Sequence, residues 1–223
     1  MLVSTDMWPR VRVACELIKN IMRDPPHRLL DLGCNNGTFT IIVAKSVGAS
    51  EIYGIDIDKE VVNEARKRGV VAYTLDLNSN KLPFKDDYFD LIIMFEVIEH
   101  LVNPDNALRE ARRVLKPSGF FVLTTPNLAS WLNRILLLLG YQPTYLDVST
   151  ETSVGHFHRG EPLGHVRGFT LRALKGLLEY HGFKIVKVAG SGSLHQPNII
   201  KFLDRLFAYI PSLARILVIV CQK

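Results

Sequence analysis

Three groups of residues in this 223-residue chain have types and spacings that can do chemistry. The first is the run Asp31-Leu32-Gly33-Cys34-Asn35-Asn36-Gly37, followed nineteen positions after Gly37 by Asp56. Gly33 and Gly37 let a backbone turn sharply and approach a ligand closely. A carboxylate placed like Asp56 can accept two hydrogen bonds from a ribose diol. The run does not read G-x-G-x-x-G and no Gly-Lys-Ser/Thr follows it, so it carries neither a dinucleotide fingerprint nor a phosphate-gripping loop. The second group is Glu96-Val97-Ile98-Glu99-His100, two carboxylates one turn apart with an imidazole beside them. Three oxygen and nitrogen ligands can converge there, and His165 offers a fourth. Such a set can take a proton from an oxygen or nitrogen acceptor. The third group is His156, His158 and Arg159 with Glu161. These can bind a metal or an anion, although histidines in loops more often face solvent.

The elements that must position these residues follow from periodicity and stop signals. Apolar Val11, Cys15, Ile18 and Met22 fall at helical spacing, with Thr5 or Asp6 as cap and Asp24-Pro25-Pro26 as stop. Short apolar strands are expected at 28–32, 51–56 and 70–75, with helices over 37–47 and from Asp58 to Gly69 between them. Phe89–Phe95 is nearly continuous in apolar residues, as in a strand buried on both faces of a parallel sheet. Asn103 or Asp105 opens a helix to Lys116, and Phe120–Thr125 is a fifth strand. Alternating strands and helices imply right-handed crossovers and an open, mostly parallel sheet with helices on both faces. Beyond it, 127–139 reads as an amphipathic helix and 140–168 as a long loop of the kind that forms a lid. A helix over 170–181, a strand over 183–188, an excursion over 191–210 and a final strand over 214–222 complete the chain. Apolar residues at 199, 202, 203, 206 and 207 form a stripe whose default is packing against the sheet, with a membrane surface or lipid-like acceptor as the alternative.

The glycine run resembles the first motif of the class I S-adenosylmethionine-dependent methyltransferases, usually written D-L-G-C-G-x-G. The resemblance continues through Tyr53-Gly54-Ile55-Asp56-Ile57-Asp58, Leu75-Asp76-Leu77 and Phe89-Asp90-Leu91-Ile92. It extends to Glu96–Leu101, Leu115–Gly119 and Thr124-Thr125-Pro126-Asn127, covering about residues 27–127 in register. It implies a Rossmann-like sheet of seven strands with late lid insertions, in one domain over 1–223. Residues 27–126 would bind the cofactor, and 127–170 and 191–210 would build the acceptor side. It also implies that Gly33 to Gly37, with Cys34, pass under the methionine moiety of S-adenosylmethionine while Asp31 orients the amino group. Asp56 would hold the ribose hydroxyls, Ile57 would lie against the adenine, and Asp76 with the Leu77 amide would meet the adenine edge. Phe95 and Glu96 would flank the sulfonium. The family's middle glycine is Asn35 here. Asn tolerates positive φ, so the loop can keep its shape, though its side chain could crowd the cofactor's carboxylate end.

The implied activity is methyl transfer to a small-molecule acceptor at oxygen, with Glu99, His100 and His165 as catalytic candidates and S-adenosylhomocysteine as product. The Glu-x-x-Glu-His segment is similar to that of the ubiquinone-pathway O-methyltransferases and of the 2′-O-methyltransferases of small-RNA 3′ ends, where a divalent metal engages the acceptor oxygens. The plainer reading, helix capping and pocket lining without metal, is preferred; Glu96, Glu99, His100 and His165 are the set that would hold one. Asn127, Ser130 and Trp131 would line the acceptor side, with Arg134 reaching an anion and Trp131 as much a packing residue as a stacking one.

Charge and cysteine usage narrow the partners. Residues 1–150 hold 17 Lys/Arg against 18 Asp/Glu, while 151–223 hold ten against four, so the basic surplus falls on the lid side and an anionic acceptor is compatible with it. RNA is the weaker alternative, because no aromatic-basic binding module is present. A non-catalytic cofactor-binding partner subunit is a further alternative, supported by Asn35 alone. Three scattered cysteines without metal-type or disulfide spacing suggest a reducing compartment. With no charged-then-apolar leader and no apolar run of about 18 residues, a soluble cytoplasmic protein without a transmembrane segment is expected.

Overall fold

A computed structural model describes residues 9–157, 161–192 and 198–223. The strands are β1 (Arg28–Leu32), β2 (Glu51–Asp56), β3 (Val71–Thr74), β4 (Phe89–Phe95), β5 (Leu115–Pro126), β6 (Lys184–Ser191) and β7 (Ile216–Gln222). They form one sheet in the order β3-β2-β1-β4-β5-β7-β6, parallel except for β7, which runs antiparallel to both neighbours. Strand order therefore reverses between β1 and β4, the place where an open α/β sheet binds its ligand beyond the carboxyl ends of the strands. The helices are α1 (Pro9–Ile21), α2 (Thr38–Val47), α3 (Lys59–Lys67), α4 (Pro104–Val114), α5 (Trp131–Leu138), α6 (Leu171–Tyr180) and α7 (Asn198–Ala208).

The near-continuous apolar strands are explained by helices on both sheet faces. Leu30, Ile92, Met94 and Phe121 pack with Leu108 of α4 and Leu174 of α6 on one side. Their neighbours Leu29, Leu91, Ile93 and Val122 pack with Ile18 of α1 and Val43 of α2 on the other. Successive residues thus enter opposite cores, as the two-residue period of a strand requires. Asp58, Asn103 and Thr170 cap α3, α4 and α6 by accepting from backbone amides, which fixes where each helix begins.

Several boundaries differ from the sequence expectation for identifiable reasons. Helix α4 stops at Val114 because Leu115 pairs with Phe89 in the sheet. The helix expected from Asn127 begins at Trp131, because Asn127 is held in extended backbone. Its N–H donates to the Arg215 carbonyl and its Nδ2 to the Ser212 and Ala214 carbonyls, leaving Ser130 to cap the helix. The cap expected at Thr5 or Asp6, and His158 and Arg159 of the lid, lie outside the described residues.

Packing of the α7 stripe against the sheet is corrected for three of its five residues, since Leu203 and Phe207 are half-buried. Ile199, Phe202 and Leu206 are exposed, Phe202 at 64%, and the buried residue of this helix is Asp204. Trp131 explains the rotation, since its Nε1 donates to Asp204 at 2.8 Å and its ring stacks on Phe207 at 5.5 Å. A hydrogen bond to a buried carboxylate, together with ring stacking, orients α7 in place of its apolar periodicity. Trp131 is accordingly a packing residue. No helix among the described residues is long and apolar enough to cross a membrane.

Candidate active site

A cavity of about 630 Å³ opens at the carboxyl ends of β2, β1 and β4. The turn after β1 builds its floor. Gly33 and Cys34 both donate their N–H to the Ile55 carbonyl, tying the turn to β2. Gly33 has φ +89°, and a β-carbon there would be driven into the Val97 side chain, so this position requires glycine on two counts. Asn35 has φ +46°, the left-handed conformation its residue type tolerates. Its N–H donates to Asp56 Oδ2 at 2.8 Å, and its Oδ1 accepts the Asn36 N–H at 2.6 Å. The side chain thus caps its own turn while the backbone keeps its left-handed conformation.

Asp31, Gly33, Cys34, Asn35, Asp56, Ile57, Asp76, Leu77, Phe95 and Glu96 all line this cavity. Gly37 lies behind it, with φ +79° at the entry to α2, and shapes the turn from outside. Asp31 is buried, and Thr40 Oγ1 donates to its Oδ2 at 2.6 Å. Burial pushes this carboxyl up to about 7, because loss of water disfavours the charged form more than the threonine bond favours it. Ile57 is 66% exposed on the rim. Asp76 spends Oδ1 on the Asn78 backbone and side chain, the turn role that its position also allowed, while still bordering the cavity.

Glu96 stands at φ +55°, strained for a non-glycine residue at the end of β4. Thr124 Oγ1 donates to its Oε1 at 2.8 Å, and Arg10 of α1 approaches the same oxygen at 3.7 Å. Burial raises its carboxyl, opposed by Arg10 and the Thr124 bond. Arg10 is a cavity residue that the sequence reading missed, since an arginine in the first turn of an amphipathic helix carries no signal of its own.

Glu99, His100 and His165 are brought together across 66 positions of sequence, with one ligand atom of each within 4.8 Å of the others. Glu96 is not part of this set. Of the three, only His100 lines the cavity; Glu99 and His165 stand behind it. His100 Nδ1 meets the Gly164 carbonyl at 3.1 Å and His165 Nδ1 the Tyr145 carbonyl at 3.0 Å. A carbonyl only accepts, so both Nδ1 atoms donate, which leaves each Nε2 as the ring atom available to another partner. The two rings meet edge to face at 4.5 Å. Glu99 Oε2 accepts from Thr125 Oγ1, whereas its buried Oε1 has no hydrogen-bond partner and lies 4.0 Å from His165 Nε2. Burial first and Glu96 second push the Glu99 carboxyl up to about 8, and burial lowers His165. Arg134 donates Nε to the Ala129 carbonyl, so that part of its fork is already engaged.

Residues 8–188 match a family model described as a methyltransferase domain. The chain is 37% identical over 123 residues to an uncharacterized transposon protein of Streptomyces fradiae, covering 51% of this chain and 36% of that one. It is 35% identical over 100 residues to the ubiquinone/menaquinone biosynthesis C-methyltransferase UbiE of Burkholderia mallei, covering 43% of this chain and 41% of that one. The matched part thus spans about two fifths of the length of these curated relatives. Among solved structures, a possible histamine N-methyltransferase from Thermotoga maritima aligns over 96% of this chain and 89% of its own, with TM-score 0.63 and 20% identity. A putative methyltransferase from Haloferax volcanii, solved with its activator, aligns over 96% and 90% with TM-score 0.64 and 16% identity.

Proposed function

The chain belongs to the methyltransferase-domain family, whose cofactor is S-adenosylmethionine, and from that premise we propose that it moves a methyl group to an oxygen of a small-molecule acceptor. One observation carries this reading. A single cavity holds the glycine turn, Asp31 and Asp56 on the β1–β2 side, and Glu96 and His100 on the β4 side, so cofactor and acceptor can meet over the sheet's reversal point. The residues fit the cofactor: the Gly33 turn leaves room where a side chain would intrude, and Asp31 is a buried carboxyl that gains a partner if a cationic amino group arrives.

S-adenosylmethionine supplies an electrophilic methyl group on a neutral leaving group, so the protein's work is alignment and the handling of one proton. The Gly33–Gly37 turn supports the methionine moiety, with Asp31 on its amino group. Asp56 takes the ribose hydroxyls with the lone pairs that Asn35 and Asp58 leave free. Ile57, Asp76 and Leu77 hold the adenine, and Phe95 and Glu96 border the sulfonium. His100 receives the acceptor's proton at Nε2, because Nδ1 is committed to the Gly164 carbonyl. Glu99 and His165 position that ring from behind.

A second reading is favoured by the orphaned Glu99 Oε1 facing two imidazoles whose Nδ1 atoms are pinned by carbonyls. Glu99, His100 and His165 would hold a divalent cation, which would draw the acceptor oxygen and lower its proton affinity. Unimpaired transfer by chelated, dialysed protein would remove this reading while leaving the first intact. The non-catalytic alternative loses its support, since Asn35 preserves the turn. Labelled methyl groups should pass from S-adenosylmethionine into a defined chemical fraction of cell extract. Incorporation into no fraction, by protein that binds the cofactor, would overturn the enzyme reading. Incorporation into RNA would reverse the choice of acceptor.

A further inference from the structure

Arg215, immediately before β7, is 2% exposed. Its carbonyl accepts the Asn127 N–H, which fixes it beside the carboxyl end of β5. Among the described residues only Nη2 is engaged, donating to the Tyr145 hydroxyl at 3.1 Å, and the guanidinium carbon lies 5.5 Å from the centre of that ring. Nε and Nη1 are buried without a hydrogen-bond partner, and no carboxylate pairs with Arg215 among the described residues. A guanidinium cannot shed its proton to escape burial, as lysine or histidine can. A fixed cation with two unanswered donors therefore lacks its anion.

Tyr145 ties this cation to the catalytic cluster. Its carbonyl accepts from His165 Nδ1, and the His165 ring stands 4.5 Å from that of His100 at the cavity wall. Tyr145 also has φ +65°, a costly conformation for a bulky residue. The strain is held from both sides, by Asn133 Oδ1 accepting from the Thr144 backbone and hydroxyl, and by the His165 bond. An orphaned buried cation and the strained tyrosine whose hydroxyl meets it thus connect to His100 through His165.

We propose that Arg215, held in place by the Tyr145 hydroxyl, forms an oxyanion subsite on the acceptor side, so that the methyl acceptor carries a carboxylate or phosphate group in addition to the oxygen that is methylated. This rests on the reading of the site as a methyltransferase centre, and it names the acceptor's chemical class. A charge-assisted bond to a buried guanidinium contributes enough to select such an acceptor over its neutral analogue.

The test titrates acetate and inorganic phosphate, separately, into chloride-buffered wild-type, Arg215→Met and Tyr145→Phe protein, following thermal melting with and without saturating S-adenosylhomocysteine. Wild-type protein should be stabilised by one of the two oxyanions at millimolar concentration, and which one identifies the group. The apparent affinity should fall roughly tenfold or more in Arg215→Met, and by a smaller factor in Tyr145→Phe, which alters a single hydroxyl and serves if the arginine variant does not fold. Equal responses in wild type and variants, or no response to either anion in wild type, would overturn the subsite. Calorimetry with S-adenosylhomocysteine on the same samples separates that outcome from failure of the methyltransferase reading, which would appear as absent cofactor binding.

Discussion

The Asn35 backbone amide donates to the Asp56 carboxylate at 2.8 Å, so the loop after β1 is fastened to the same acid that is proposed to hold the ribose. Removing that carboxylate loosens the loop as well as the diol contact. Asp56→Ala should weaken S-adenosylhomocysteine binding roughly 100-fold, whereas Asn35→Gly, which keeps the amide and the left-handed backbone, should change it by no more than about threefold. Asn35→Val should behave like the Asp56 variant, because a β-branched residue resists that φ. Equal affinities for the glycine and valine variants, measured by calorimetry, would show that the loop conformation is irrelevant.

Cofactor affinity should depend on pH through Asp31. Its carboxyl is raised to about 7 in the free protein, so at acid pH it is neutral and cannot attract an ammonium group. Binding should strengthen as pH rises through 7 and level off above it. Stability runs the other way. Between the ordinary aspartate range and about 7 the unfolded chain ionises while the folded one does not, so the ligand-free protein loses stability as pH rises across that window. Asp31→Asn should abolish the binding trend and lessen the stability trend without removing it, because the raised Glu99 and Glu96 carboxyls act in the same direction; calorimetry with melting at pH 5.5, 7 and 8.5 checks both.

The rotation of α7 gives a stability contrast. Phe202→Glu should alter the unfolding free energy by less than about 0.5 kcal/mol, because the ring is exposed. Trp131→Ala should cost about 3–5 kcal/mol, since it removes a buried ring, its stack on Phe207 and the bond to Asp204. Denaturant titration of both variants decides between this arrangement and the sheet-packed one, in which Phe202→Glu would be severely destabilising.

The part of the candidate site built by the turn after β1 and by Asp56 is legible in the sequence because local rules govern its geometry. The Gly33 turn, the spacing to Asp56 and the apolar runs of β1 and β4 each specify their own geometry. The arrangement around Arg215 and Arg10 is not, because it depends on pairings between distant residues. Nothing in the neighbourhood of Arg215 announces Tyr145, 70 positions earlier, and nothing around Arg10 announces Glu96. The α7 stripe has the period of a packed helix, but periodicity specifies only that apolar residues share a face, and the Trp131–Asp204 bond turned that face to solvent.

The most direct measurement is calorimetric titration of the wild-type chain with S-adenosylmethionine and with S-adenosylhomocysteine, beside Asp31→Asn. Saturable, one-to-one binding of both by wild type, at least about tenfold weaker in the variant, is the expected result. Absence of binding of either by folded wild-type protein would contradict the assignment of this cavity as a methyl-donor site.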